Sequence, residues 1–223
     1  MNPVLPANHA AILARYQRSR EVGRRLTTAI SQTLDKEAIH RAGEALGILH
    51  KGTLYFDRDD VVCVLMDYAI QQLRWDGRNA IERYLSLQSP QADPEELQWL
   101  GESPPTRYTL YTTTRVSPGF GVTCSDLIYN DTMELIDIGF SHTAQPDVTF
   151  AGHVRPFEEF WITSGASLPV SPRVLKRLKP AMQSFRKAMR QPGPAAQEAE
   201  AEFAARVVRW CLEDGAAQRI VYQ

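Results

Sequence analysis

The fold is decided by Arg107–Thr163, RYTLYTTTRVSPGFGVTCSDLIYNDTMELIDIGFSHTAQPDVTFAGHVRPFEEFWIT. Most of this stretch alternates with a period of two, whereas the sequence on either side repeats its apolar residues at helical spacing. RYTLYTTTRV is rich in Thr and Tyr and predicts a strand, with Tyr108, Leu110 and Thr112 on one side and Thr109, Tyr111 and Thr113 on the other. SPGFG (117–121) reads as a turn, because two glycines without a third, a lysine or a following helix do not make a phosphate loop. VTCSDLIY is expected as the second strand, Asn130-Asp131 as a tight hairpin turn, and TMELIDIG as the third strand with Met133, Leu135 and Ile138 toward the core. After a loop at Ser141–Asp147 come VTFAGHVRPF and EFWITSG, the fourth and fifth strands. Short strands at this spacing predict an antiparallel meander curled toward a small barrel.

Working outward toward the N-terminus, Asn8 is a candidate cap for a helix of about two dozen residues with Ile12, Val22, Leu26 and Ile30 on one face. Arg15, Arg18, Arg20, Arg24 and Arg25 make that helix basic. Asp35 caps the next helix and Gly47 stops it. In LHKGTLYFD, Lys51-Gly52 is the turn and Leu54, Tyr55 and Phe56 are expected to be buried. Asp59 or Asp60 is expected to cap the most apolar helix, VVCVLMDYAIQQLRW, with Val62, Leu65, Met66, Ala69 and Leu73 sharing its core face. Asp76-Gly77 turns into a short helix with Ile81, Tyr84 and Leu85 inward. Ser89–Pro105 carries four prolines and reads as a linker holding a helical turn or two.

Toward the C-terminus, Ser171-Pro172 opens a basic amphipathic helix with Val174, Leu178, Phe185 and Met189 near one face and Pro180 inside it. Gln191–Pro194 breaks it. A last helix from about Ala195 to Asp214 follows, with Phe203, Val207 and Trp210 as its apolar stripe. The expectation is an α+β protein with four parts. Residues 1–88 form a helical unit, 89–106 a Pro-rich linker, 107–170 a small five-stranded antiparallel barrel-like meander, and 171–223 a C-terminal helical pair packing back.

Charge is unevenly spread. The net of −1 over 223 residues hides a segment, Ser89–Phe160, with eleven acids against three bases, a net of −8. From Ser171 to Arg190 there are seven bases and no acid. A strongly acidic barrel repels phosphate, so its aromatics (Tyr108, Tyr111, Phe120, Tyr129, Phe150, Trp161) read as packing rather than as a base-stacking platform. The short helices at 36–46 and 79–87 carry too few bases for a DNA-reading helix. The three cysteines, Cys63, Cys124 and Cys211, are odd in number and far apart, and read as small buried hydrophobes rather than as a disulfide framework or zinc site. No apolar run reaches the ~20 residues that span a bilayer, and the start has no secretory pattern, so a cytoplasmic protein with no membrane partner is expected.

The chain resembles a family of uncharacterised bacterial proteins. The likeness is carried by ALGIL (45–49), KGTLYFD (51–57), VLMDYAI (64–70), DGRNAIERYL (76–85), PGFGV (118–122), SDLI (125–128) and FWITSGASLPV (160–170), and it spans roughly Ile39 to Val170. The resemblance implies a fold unit and no chemistry. Relatives of its β-rich part occur beside cysteine-rich metal-binding tails. This chain has no such tail, so no metal is implied.

For chemistry the sequence offers one cluster, Asp126, Asp137, His142 and His153, able to serve acid–base or metal work if the sheet gathers it, with Cys124 near in sequence. No GxSxG elbow or HExxH spacing is present, so no catalytic, cofactor or metal residue is assigned. Two binding roles follow from charge. In one, the acidic β segment docks basic helices, its own or those of a protein partner, as an adaptor or self-associating module. In the other, Arg177, Lys179, Arg186 and Lys187 hold nucleic acid or another polyanion. An enzyme with an unrecognised site, hydrolytic or metal-dependent, comes third.

Overall fold

The computed structural model describes residues 6–56, 58–87, 96, 99–100, 106–191 and 193–219. Most of the Pro-rich segment 89–106 and the tail after Arg219 lie outside them, as do the linker helix and tail expected there.

The N-terminal half is helical. α1 (His9–Ser31) presents Ile12, Tyr16, Val22, Leu26 and Ile30 inward. α2 (Lys36–Leu46) starts where the Asp35 carboxylate accepts from Ala38 N and ends at Gly47, whose φ of 73° is left-handed. A two-residue pair, β1 (Leu49–His50) and β2 (Thr53–Leu54), turns at Lys51-Gly52. Beyond it Tyr55 and Phe56 are 61% and 47% exposed, against the expectation that both are buried. α3 (Asp59–Gln71) begins at Arg58 with no side-chain cap, and both Asp59 and Asp60 sit inside its first turn. Its buried face is Val61, Val64, Leu65, Tyr68, Ala69 and Ile70, rotated from the expected one. Val62 and Met66 are only half-buried because they border a cleft. α4 (Ala80–Leu87) opens on a reciprocal capping box, in which Glu82 N donates to Asn79 Oδ1 and Asn79 N to Glu82 Oε2.

The central segment forms β3 (Arg107–Ser117), β4 (Gly121–Asp126), β5 (Thr132–Ile136), β6 (Thr149–Pro156), β7 (Trp161–Thr163) and β8 (Leu168–Val170). The expected antiparallel meander is corrected to a closed, mixed, five-stranded barrel. β3–β4–β5 run as hairpins, but β7 inserts between β5 and β6, pairing parallel to β5 at Leu135–Trp161, and β6 then returns to β3. Its lumen is filled by Tyr111, Val122, Cys124, Met133, Leu135 and Val154. Gly121 is required here, since a Cβ on it would lie 2.2 Å from Leu135 O of the paired strand. The glycine of the GFG turn thus serves strand approach. Two elements depart from expectation. The third strand stops at Ile136, and Asp137 caps a short helix, α5 (Ile138–Thr143), by accepting from Phe140 N. The loop after β7 leads into β8, an extra strand on β6.

α6 (Pro172–Ala188), capped by Ser171, and α7 (Pro194–Glu213) lie against the outer face of the barrel. Val174, Leu178 and Phe185 of α6 and Phe203, Val207 and Val208 of α7 join Tyr108 and Leu110 of β3 and Leu65 of α3 in one apolar cluster. Among the described residues there are seven helices, none long and apolar enough to cross a membrane.

One end of the barrel is pinned by Arg107. Its guanidinium lies over Tyr129 and Trp161 and donates to buried Asp126 at 2.9 Å. Asp126 also accepts from Thr109 Oγ1, Ile128 N and Tyr129 N. Removing one member of a buried, hydrogen-bonded ion pair costs far more than removing an exposed one. Asp126→Ala is expected to lower unfolding free energy by roughly 3–5 kcal/mol. Glu134→Ala, which breaks the exposed Arg115 pair, should cost at most about 1 kcal/mol. Urea denaturation of the two variants checks the contrast.

Candidate functional site

Alternation along β6 determines what the barrel shows the helices. Val154 points into the lumen. His153 and Arg155, one residue to either side, point out toward α1 and α3.

His153 is 1% exposed. Its Nδ1 lies 2.6 Å from Asp67 Oδ2 on α3, and its Nε2 lies 2.7 Å from the Gln72 amide nitrogen. The Tyr108 ring meets it edge-on at 4.9 Å. Because an amide nitrogen faces Nε2, that ring nitrogen accepts and the proton sits on Nδ1, donated to Asp67. Gln72 also hydrogen-bonds Glu200 of α7, which in turn accepts from Tyr108 N at 2.7 Å. A polar thread, Asp67–His153–Gln72–Glu200, therefore runs through the apolar core. Burial pushes the Glu200 carboxyl above its ordinary value, opposed by the Tyr108 N–H, the nearby His153 and Arg74, and the Gln72 bond.

The Asp67 end of the thread reaches a cleft of about 440 Å³ between α1, α3, Trp99 and the 163–166 loop. Three guanidiniums border it. Arg20 donates to Thr163 O at 3.0 Å, and Arg24 is exposed. Arg155 is 6% exposed; it donates to Trp99 O at 3.0 Å and stacks on the Trp99 ring at 3.8 Å, with no carboxylate in ion-pair range among the described residues. Desolvation lowers its pKa to about 10, which leaves it a cation at neutral pH. Trp99 Nε1 and Thr106 Oγ1, both at this cleft, are buried without a hydrogen-bond partner among the described residues. Gly165, at φ 93°, brings its backbone beside the Arg20 guanidinium. Cys63 also borders the cleft and is exposed, correcting the expectation that all three cysteines are buried. Burial and then Asp60, Asp59 and Asp67 push its thiol up, so it stays protonated and is a poor nucleophile.

The residues expected from sequence are given separate tasks. Asp126 holds the Arg107 pin, Asp137 caps α5 and accepts from Thr163 Oγ1, His142 is exposed on α5, and His153 sits on Asp67. No hydrogen bond or ion pair joins any two of these four among the described residues. Cys124 lies in the lumen, its thiol pushed up to about 12 by burial. No three His, Cys, Asp or Glu side chains converge as a metal ion requires, among the described residues. Of the basic candidates, Arg177 pairs with Glu213 of α7 and Arg186 donates to Ile128 O and Leu127 O. Lys179 and Lys187 are exposed without a partner among the described residues.

Sequence reading passed over Asp67, Arg155, Gln72 and Glu200. Two signals were present. Asp67 is the lone charge inside VVCVLMDYAI, and Arg155 is one of only three bases in the acidic segment.

A model of a family of unknown function, DUF7986, matches residues 11–205, and the chain belongs to that family. No curated protein and no solved structure matches it.

The raised Glu200 pKa has a sign that can be tested. A carboxyl whose folded pKa exceeds its unfolded value contributes stability below the unfolded pKa and loses it as pH rises through the folded one. Glu200→Gln keeps an acceptor for Tyr108 N and removes the titration. The melting temperature of this variant, relative to the parent, is expected to rise as pH increases from about 4 through neutrality. Thermal melts across that range check it, and a constant difference would contradict the assignment.

Proposed function

We propose, taking membership of this family of unknown function as the premise, that the protein is a binding module whose α1–α3 cleft holds a small anionic ligand. The observation that carries this reading is Arg155. A guanidinium taken out of water costs several kcal/mol unless an anion offsets it, so buried arginines are ordinarily paired. Arg155 has one carbonyl and one indole face, and no carboxylate among the described residues. Two donors without a partner among the described residues, Trp99 Nε1 and Thr106 Oγ1, stand in the same cleft. An anion seated there would supply the missing acceptors and the missing charge at once.

Binding is favoured over covalent catalysis because the cleft's thiol is held protonated and the His153 ring has both nitrogens occupied. The adaptor reading draws on different contacts. Acids of the central segment meet bases of α1 within the chain: Arg15 reaches Glu159 at 2.9 Å and Glu158 at 3.5 Å, and Arg25 reaches Glu96 at 3.4 Å. The motive for docking a foreign basic helix is correspondingly reduced.

Removal of an unpaired buried cation and removal of a structural one have opposite consequences. Arg155→Met is expected to change the stability of the free protein by no more than about 1 kcal/mol, while abolishing the rise in melting temperature that millimolar inorganic phosphate or acetate gives the parent. Differential scanning fluorimetry with both anions checks this. A large loss of stability without any anion response in the parent would refute the reading.

A second reading rests on α6. Arg173, Lys176, Lys179 and Lys187 are exposed on the helix, Arg190 just beyond it, with no acid between Ser171 and Arg190 and no partner among the described residues. Such a ridge suits a nucleic-acid backbone. Fluorescence anisotropy with mixed-sequence DNA and RNA should then show affinity that falls steeply with salt. Lys176→Glu with Lys187→Glu should weaken it at least about tenfold. Salt-insensitive or absent binding would rule this reading out.

A further inference from the structure

The cleft presents a negative group as well as positive ones. Asp67 borders it with its side chain 14% exposed, and among the described residues only its Oδ2 is engaged, by His153 Nδ1 at 2.6 Å. The other carboxylate oxygen, Oδ1, has no hydrogen-bond partner among the described residues. No lysine or arginine lies in ion-pair range of Asp67 among the described residues, although Arg20, Arg24 and Arg155 border the same cleft. Opposite charges in one small cavity that do not pair with each other are each left short of a counter-ion.

The backbone explains why they stay apart. His153 and Arg155 leave the same face of β6 two positions apart, about 7 Å along a strand. His153 fixes Asp67 at one position, and the Trp99 carbonyl and ring fix Arg155 at the other. Neither side chain is free to swing across.

Resting on the anion-binding reading above, we propose that the ligand is zwitterionic: a small molecule whose ammonium group binds the Asp67 carboxylate and whose carboxylate or phosphate binds Arg155, with Arg20 and Arg24 beside it. The free Asp67 Oδ1 accepts from the ammonium, and His153 acts as a positioning residue that orients the carboxylate without touching the ligand. At about 440 Å³ the cleft admits molecules of amino-acid or amino-phosphate size. The thiol of Cys63, one helical turn before Asp67, borders the same cavity.

The test needs no variant at first. The full chain is titrated calorimetrically with the twenty common amino acids, β-alanine and phosphoethanolamine, each beside its N-acetyl derivative, and with inorganic phosphate and acetate. At least one zwitterion is expected to bind roughly tenfold or more tightly than its N-acetyl form, since acetylation deletes the charge that faces Asp67. Asp67→Asn should collapse that ratio to about threefold or less while leaving the phosphate response intact. If phosphate or acetate binds while no zwitterion binds better than its N-acetyl form, the zwitterion assignment is overturned and the anion reading stands. If nothing in the set binds, both are overturned.

Discussion

β6 is paired along both edges, and the rest of the architecture depends on that. On one edge Arg107–Thr112 of β3 run against Val154–Thr149. The other edge is shared, with β8 covering Thr149–Ala151 and β7 covering Val154–Pro156. A strand bonded on both sides whose neighbours also reach each other through β4 and β5 has no free edge, so the sheet closes. Closure fixes the alternation of β6 absolutely. Val154 must fill the lumen, and His153 and Arg155 must emerge on the helical side. Gly152 precedes His153, and a Cβ there would come within 2.7 Å of Ser167 Oγ. That close approach holds the loop between β7 and β8, which forms the cleft wall.

Two arginines on neighbouring strands show how differently the fold treats charge. Arg107 is flanked by two aromatic rings and bonded to a carboxylate that is itself saturated by three further donors. Its charge is met by the Asp126 and Asp131 carboxylates, although its Nε is buried without a hydrogen-bond partner among the described residues, and the group reads as structure. Arg155 has a similar aromatic neighbour but no carboxylate among the described residues. Glu200 lies between these cases: it has a backbone donor and an amide, yet its burial still dominates. Among the described residues, the cleft between α1 and α3 brings together a buried cation without a carboxylate, Arg155, and a carboxylate without a lysine or arginine, Asp67.

The parts of this arrangement that sequence made legible are those governed by local rules. Asp35, Ser171 and Gly47 act as caps and stop where their side-chain chemistry and φ preference put them. The alternation of RYTLYTTTRV places Tyr108 and Leu110 with the helices and Tyr111 in the lumen. What escaped was set by distant partners. Ile138-Gly139 reads as the end of a strand and Ser141 onward as a loop, and Ile138–Thr143 becomes a helix because Asp137 caps it. The parallel β5–β7 pairing leaves no mark in either segment. α3 was assigned a face by apolar periodicity alone, but Val62 and Met66 are apolar lining for a cavity rather than core. The Asp67–His153 contact joins residues 86 positions apart, and neither flank hints at the other.

The persistence of the cleft follows from how α1 is held. At its start Arg15 is bound to Glu158 and Glu159. In the middle Arg20 is bound to Thr163 O. Toward its end Val22, Leu26 and Ile30 pack with Ile70 and Ala80. A helix pinned along its length by side chains from the barrel, α3 and α4 cannot roll inward to fill the space beside it. Gly23 faces that space, and a Cβ on it would stand 3.2 Å from the Trp99 ring, so the absence of a side chain there seats the indole. The seated indole in turn stacks on Arg155, and its own N–H has no acceptor among the described residues. Cavity, cation and orphaned donor therefore share one cause: α1 is held at a fixed distance from β6. On the binding reading, the walls supplied by α1, α3 and β6 need no ordering before a ligand enters, and the charges of Asp67 and Arg155 would be available to it at little conformational cost.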